Sequence, residues 1–379
     1  MATIKPFRAI RPAHAELTGQ LKDLLEAGAR ARPETPEGQI AAYSDIQETL
    51  RELLKSGQLL KEETPAIYIY EMEHPAYRQT GIWALTALED YRSGRIKRHE
   101  LTLKDSVRRL KNYRAHTRLE GSPVLLTYVP DAEIDQMIST FKCEPAFSSL
   151  IDEQGNHRLW RVEDCQPLID AFARLGPVYV ADGHHRLESA AELSGDIKSF
   201  GKPVYDSLST LYMSATELRS RDYHRAVILA APVDTARLLQ QLSWNFAIRS
   251  TKELVRPTKK HQFGMLIGGA CYELTAKEGG VDAAILQDRV LWPFFGISDP
   301  KADPRLKCIG GGQAMTALLA FIAEHPCSVA FTLYPMAVTE LLAVARAGEI
   351  LPPKSTWIDP KVPYGLILYQ HEPLAYEAY

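Results

Sequence analysis

The chain reads as a mixed α/β protein of two domains, and three observations say so. Val178-Tyr179-Val180 is a short apolar run of β-branched and aromatic residues; it passes through Asp182-Gly183-His184-His185-Arg186 into a helical pattern carrying Leu187, Ala190, Ala191 and Leu193. From a boundary near residue 230 to about residue 345, helical and strand patterns alternate as in a compact α/β unit. The length, 379 residues, also exceeds what one hydrophobic core usually supports.

Taken in order, Ile4 to Ile10 reads as extended, and Glu16 to Glu26 and Tyr43 to Lys55 as helices, the second with Ile46, Leu50, Leu53 and Leu54 on one side. Pro33 and Pro36 make Ala29 to Gly38 a loop between them. Ala66 to Tyr70 and Thr80 to Leu85 have strand composition and can pair as a hairpin. Leu103 to Arg114 predicts a polar helix, Val124 to Tyr128 a strand, and Ala132 to Phe141 a helix. Gly155-Asn156 turns between strands Ser148 to Ile151 and Arg158 to Val162. Helix Cys165 to Arg174 precedes the strand–turn–helix, and Ser209 to Ser214 reads as a buried strand after it. Beyond residue 230, helices are expected over Thr235 to Leu242 and Gly312 to Glu324, and strands over Phe263 to Ile267 and Val329 to Leu333.

Composition narrows the function. A net charge of -3, with Lys and Arg spread along the chain, offers no basic stripe for a phosphodiester backbone, so nucleic acid is not an expected partner. Apolar runs such as Ala226 to Val233 are too short to span a bilayer and the first residues have no signal-peptide core, which leads to the expectation of a cytoplasmic protein with no membrane partner. The five cysteines are scattered and form no Cys-x-x-Cys pair, so they read as reduced thiols. Trp244, Trp292 and Trp357 read as core anchors.

Chemistry concentrates at four places. The turn before Leu187 sits at a helix start, where amide N–H groups and the helix dipole attract phosphate and Gly183 lets backbone approach a ligand. Arg186 adds a bidentate fork, His184 or His185 a donor, and Asp182 a group that holds magnesium or orients a donor. His99-Glu100 precedes a helical pattern amid Lys97, Arg98 and Lys104; a carboxylate there either accepts a proton or, as the residues alone favour, caps the helix. Pro353-Lys354-Ser355-Thr356-Trp357 presents an ammonium and two hydroxyls, a second phosphate cradle or a proline-stiffened loop. Gly310-Gly311-Gly312 lies between strand and helix, serving either phosphate contact or tight turning.

These residues, with Ile4-Lys5-Pro6-Phe7-Arg8-Ala9, Tyr68-Ile69-Tyr70-Glu71, Gln79-Thr80-Gly81 and Ser122-Pro123, resemble a widespread bacterial domain family of unknown function, itself similar to the ADP-dependent free-serine kinases of the ParB/sulfiredoxin superfamily. The resemblance covers nearly the whole chain. It implies a ParB/sulfiredoxin-like catalytic core with an N-terminal extension over residues 1–230, an accessory domain over 231–345, and a segment 346–379 that returns to the active site. It further implies magnesium-assisted transfer from ADP or ATP to a small hydroxyl compound, free serine first. Glu100 would be the base, with His99 beside it, and Asp182 a second catalytic group. Gly183, His184, His185 and Arg186 would hold the phosphates, and Lys354, Ser355 and Thr356 would close over them. The metal ligands are not implied. A ParB-like nucleotide switch without transfer is the alternative. The chain departs from the kinases at Arg98, where they carry proline, and in the added region Thr235 to Val344.

Overall fold

The computed structural model describes residues 2–14, 16–30, 35–196, 198–199, 202–203 and 205–371. The chain is a mixed α/β protein, as its alternating patterns require, and it divides into two compact units. The first comprises residues 1–98, 102–218 and 360–379; the second comprises 99–101 and 219–359. The divisions fall at Leu218/Arg219 and Asp359/Pro360, where the sequence led to boundaries near residues 230 and 345.

The first unit is built on a nine-stranded sheet in the order Ile96–Lys97, Val178–Asp182, Val124–Tyr128, Ser207–Ser214, Tyr77–Ala87, Ile67–His74, Gly155–Val162 and Ser148–Asp152, with Ile4–Lys5 pairing beside Tyr77–Ala87. The two hairpins form because polar turns interrupt alternating apolar runs: Tyr68 lies opposite Trp83, and Leu159 opposite both Tyr70 and Ser148. Ser207–Ser214 is buried at every position, so its hydroxyls must bond internally. Ser209 accepts from Trp83 Nε1 at 2.8 Å, and Thr210 Oγ1 donates to the Ala84 carbonyl at 3.1 Å. Helix Ala132–Phe141 has the expected bounds because Asp131 accepts from the Glu133 and Ile134 N–H groups, an N-cap. It packs on Gln166–Arg174 over a core that includes Ile134, Leu168 and Phe172.

Helices Leu17–Arg30 and Pro36–Lys55 shorten the loop expected over Ala29 to Gly38; Thr35 caps the second through the Gly38 N–H, and Pro33 lies outside the described residues. The C-terminal segment straps this unit. Tyr369–Gln370 pairs with Leu119–Glu120, and Leu368 with Ile10.

The second unit holds a six-stranded sheet in the order Phe246–Thr251, Ala270–Ala276, Gln262–Ile267, Ser328–Leu333, Tyr223–Ile228 and Leu306–Gly310, over a core that includes Phe263, Phe331 and Leu242. Two tryptophans correct the expectation of core anchors. Trp244 is 73% exposed and Trp292 61%. Trp357 alone of the three packs inward, its ring 5.7 Å from that of Tyr223.

Candidate functional site

The turn at Asp182 is where charged groups gather in the first unit. Strand Val178–Asp182 ends with a register shift between Val180 and Asp182, which breaks the ladder against Val124–Tyr128 and turns the last side chain out of the pleat. Gly183 follows at φ 97°, a conformation only glycine adopts without strain, and a Cβ there would come within 3.0 Å of Arg186 Nε and 3.3 Å of Val124 Cγ2. Its carbonyl accepts the Leu187 N–H at 3.0 Å, so the helix His184–Asp196 begins at the first histidine, with His184, His185 and Arg186 in its opening turn. The first N–H groups of a helix have no acceptor within it, and the positive end of the dipole lies there.

Around this turn Asp182 receives two cations. Its Oδ2 pairs with Arg186 Nη2 at 2.9 Å and its Oδ1 with Lys361 Nζ at 2.7 Å. Burial works against the charge on Asp182, but Lys361 and Arg186 more than offset it and hold the carboxyl well below its ordinary range. Arg186 Nη1 also donates to Ser122 Oγ. His185 Nε2 accepts the Leu103 N–H at 2.9 Å, which leaves Nδ1 as the protonated ring nitrogen; His184 is 8% exposed.

A buried ion cluster braces this arrangement from two sides. Arg114 Nη1 donates to Ser189 Oγ at 2.7 Å, and Ser189 Oγ donates to the Arg186 carbonyl at 2.9 Å. Arg114 Nε lies 3.3 Å from Glu120 Oε1, which also pairs with His371 Nε2 at 2.8 Å, while Glu120 Oε2 accepts the Ser209 N–H at 2.8 Å. Burial opposes the charge on Glu120, and Arg114 and His371 offset it, keeping its carboxyl below the usual range. Glu120 lies two residues before Ser122, so the same cluster fixes the loop that meets Arg186.

The remaining expected residues belong to the second unit. Glu100 lies in a bend four residues ahead of helix Lys104–Thr117, whose N-cap position is Leu103. His99 is 1% exposed, and its carbonyl accepts the Leu351 N–H at 2.8 Å. Lys354 holds φ 62°; its carbonyl accepts from Arg225 Nη2 at 2.8 Å, and Ser355 Oγ donates to the Pro352 carbonyl at 2.6 Å. Thr356 leads into strand Trp357–Asp359, which pairs with Arg219–Arg221.

Gly310 and Gly311 have a packing reason. A Cβ on Gly310 would sit 2.7 Å from Trp357 Cε3 and 2.7 Å from Tyr223 Cδ2, and one on Gly311 3.2 Å from Trp357 Cζ2. Sequence reasoning missed Lys361 and the bracing cluster. A faint signal existed for the lysine, since Pro360-Lys361-Val362-Pro363 repeats the proline-flanked pattern of Pro353-Lys354.

Among the described residues no group of three or more His, Cys, Asp or Glu side chains is disposed to hold a metal ion, all five cysteines are free, and no helix is long and apolar enough to cross a membrane.

No curated protein matches the chain. Similar solved structures include a free serine kinase variant in complex with ADP, 13% identical, covering 76% of this chain and 92% of that one at a TM-score of 0.42. SbnI with a C-terminal truncation from Staphylococcus aureus is 15% identical over 76% of this chain and 87% of its own, at a TM-score of 0.45. A conserved hypothetical protein from Pyrococcus furiosus is 13% identical over 74% and 93%, at 0.40. The family described as protein of unknown function, DUF1015, matches residues 24–294, well over half of the sequence, and the chain belongs to that family.

Proposed function

We propose that this protein binds a nucleoside di- or triphosphate at the Asp182–Arg186 turn and transfers its terminal phosphoryl group to the hydroxyl of a small acceptor, free L-serine being the first choice. The observation that carries the reading is the convergence of Arg186 and Lys361 on Asp182 at a helix start. Phosphoryl transfer asks a protein for positioned positive charge and in-line geometry more than for covalent chemistry. An entering phosphate competes with Asp182 for both cations, and the amides of Gly183, His184, His185 and Arg186 are the donors the turn supplies.

The remaining roles follow from the likeness of the motifs to those of the serine kinases. Glu100, with His99 beside it, takes the acceptor hydroxyl proton; the acceptor oxygen forms the new bond to phosphorus as the bond to the nucleotide oxygen breaks, and AMP or ADP leaves with the electron pair. Lys354, Ser355 and Thr356 contact the phosphates. Magnesium fits as an ion brought by the nucleotide, since it is commonly held by one or two carboxylates plus phosphate oxygens, and Asp182 is the carboxylate at hand. What magnesium supplies is charge neutralisation on the phosphates.

The test is purified protein with serine, magnesium and ADP or ATP, assayed for O-phosphoserine. Product that falls about a hundredfold or more in Glu100→Gln is expected. Nucleotide binding with no phosphorylated small molecule would overturn the transfer and favour a ParB-like switch.

A further inference from the structure

The second unit holds a small cavity with charged groups set in a largely apolar lining. Arg221, Tyr223, Lys260, Asp282 and Glu340 line it, with Leu333 and Met336 among its apolar wall, and it extends to Ser355. Its volume is about 50 Å³. At the ~10–15 Å³ that one water needs, this admits about four waters, the bulk of a very small solute and not of a nucleotide.

The charges inside it are unevenly matched. Arg221 Nε pairs with Asp359 Oδ2 at 2.5 Å, and Lys260 pairs with Glu340. Asp282 is 8% exposed, yet its one ion pair among the described residues, to His261 Nε2, spans 4.0 Å. What holds its carboxylate is a backbone donor: the His261 N–H reaches Oδ1 at 3.0 Å and Oδ2 at 3.1 Å. That donor is presented by a strained residue, since His261 has φ 68°, and its ring is tied to the Gly280 carbonyl at 3.0 Å. Burial raises the Asp282 carboxyl to about 6. A buried carboxylate whose basic neighbours are engaged elsewhere, Lys260 by Glu340 and the His261 ring by the Gly280 carbonyl, attracts a cation, and a guanidinium in the same small cavity attracts an anion.

We infer that this cavity binds a small zwitterionic α-amino acid, its ammonium on Asp282, its carboxylate on Arg221, and its short side chain against Leu333 and Met336. The occupant fits both charges at once, which a simple amine or a simple acid cannot. The assignment concerns binding alone and goes beyond the transfer proposed above; the occupant is either the acceptor of that transfer or a separate effector.

Calorimetric titration of the full chain without nucleotide tests it, using L-alanine, L-serine, ethylamine and propionate. Both amino acids should bind, each half-ligand about tenfold weaker or worse, and Asp282→Asn should weaken serine by about tenfold or more. The half-ligand comparison uses wild-type protein and decides the matter even where the variant fails to fold. No heat from either amino acid at tens of millimolar, half-ligands equal to alanine, or a folded Asp282→Asn protein that binds serine unchanged would overturn the inference. Adding nucleotide and magnesium separates the sources. A KM for serine raised in Asp282→Asn marks the acceptor, whereas serine binding weakened with KM unchanged marks an effector; each supports the cavity as an amino-acid site. Absence of phosphoserine counts against the transfer and leaves the binding result standing.

Discussion

The turn at Gly183 and the turn at Gly310–Gly312 both carry a strand into a helix through glycine, and both look able to take phosphate in sequence. In the first, the atoms that an added Cβ would meet include a guanidinium; in the second they are the rings of Trp357 and Tyr223. The first is polar, half-exposed and supplied with Arg186 and Lys361, while the second is filled by its own aromatic side chains. A glycine between strand and helix therefore says that something approaches the backbone closely, and only the fold says whether that is a cation or a tryptophan.

The contrast can be broken from either side, and the largest effect belongs to the brace behind the first turn. Glu120→Gln leaves Arg114 as a buried cation without its carboxylate and disturbs the contact with His371 Nε2, and removing one partner of such a pair should lower stability by about 3–5 kcal/mol, read by denaturant titration. A loss under about 1 kcal/mol would show that the cluster is not holding the turn. Next comes Gly310→Ala, whose Cβ at 2.7 Å from two rings must push Trp357 or Tyr223 aside; about 2 kcal/mol should be lost with nucleotide affinity intact. A drop in affinity there would make the second turn a ligand site after all. Gly183→Ala should cost about 1–2 kcal/mol in stability, from the positive φ, and should also displace Arg186 and weaken nucleotide binding by about tenfold.

The smallest effect is electrostatic. Because the folded Asp282 carboxyl is raised to about 6, above its unfolded value, the folded state holds this proton more tightly, so this group favours folding progressively as pH falls through 6 and disfavours it above. Between pH 7 and pH 5 it should add about 1 kcal/mol, absent in Asp282→Asn. Asp182 has the opposite sign. Its lowered carboxyl contributes stability above the unfolded range, which is lost in strong acid.

Much of this is legible in the sequence. The apolar periods of Ala132–Phe141, Thr235–Leu242 and the two hairpins follow from local sequence, and so did the strand–turn–helix that carries Asp182. What escaped depends on distant chain. Lys361 stands 179 residues from Asp182 in sequence, and only the C-terminal strap brings it there. The polar helix expected from Leu103 starts at Lys104, so Glu100 precedes it by four residues, and Leu101 and Leu103 are exposed, 46% and 43%. Trp244 and Trp292 look like core residues by type alone, which does not decide whether a partner surface exists to bury them.

The proposed phosphate site turns on Arg186 beside Gly183. Titrating the full chain with ADP and with ATP in the presence of magnesium, for wild type and Arg186→Lys, tests it most directly, because lysine keeps the charge and loses the fork. Wild type should bind at least one of the two nucleotides, and Arg186→Lys should bind it about tenfold more weakly while melting within a few degrees of wild type. A wild-type protein that binds neither nucleotide, or a folded Arg186→Lys protein with undiminished affinity, would contradict it.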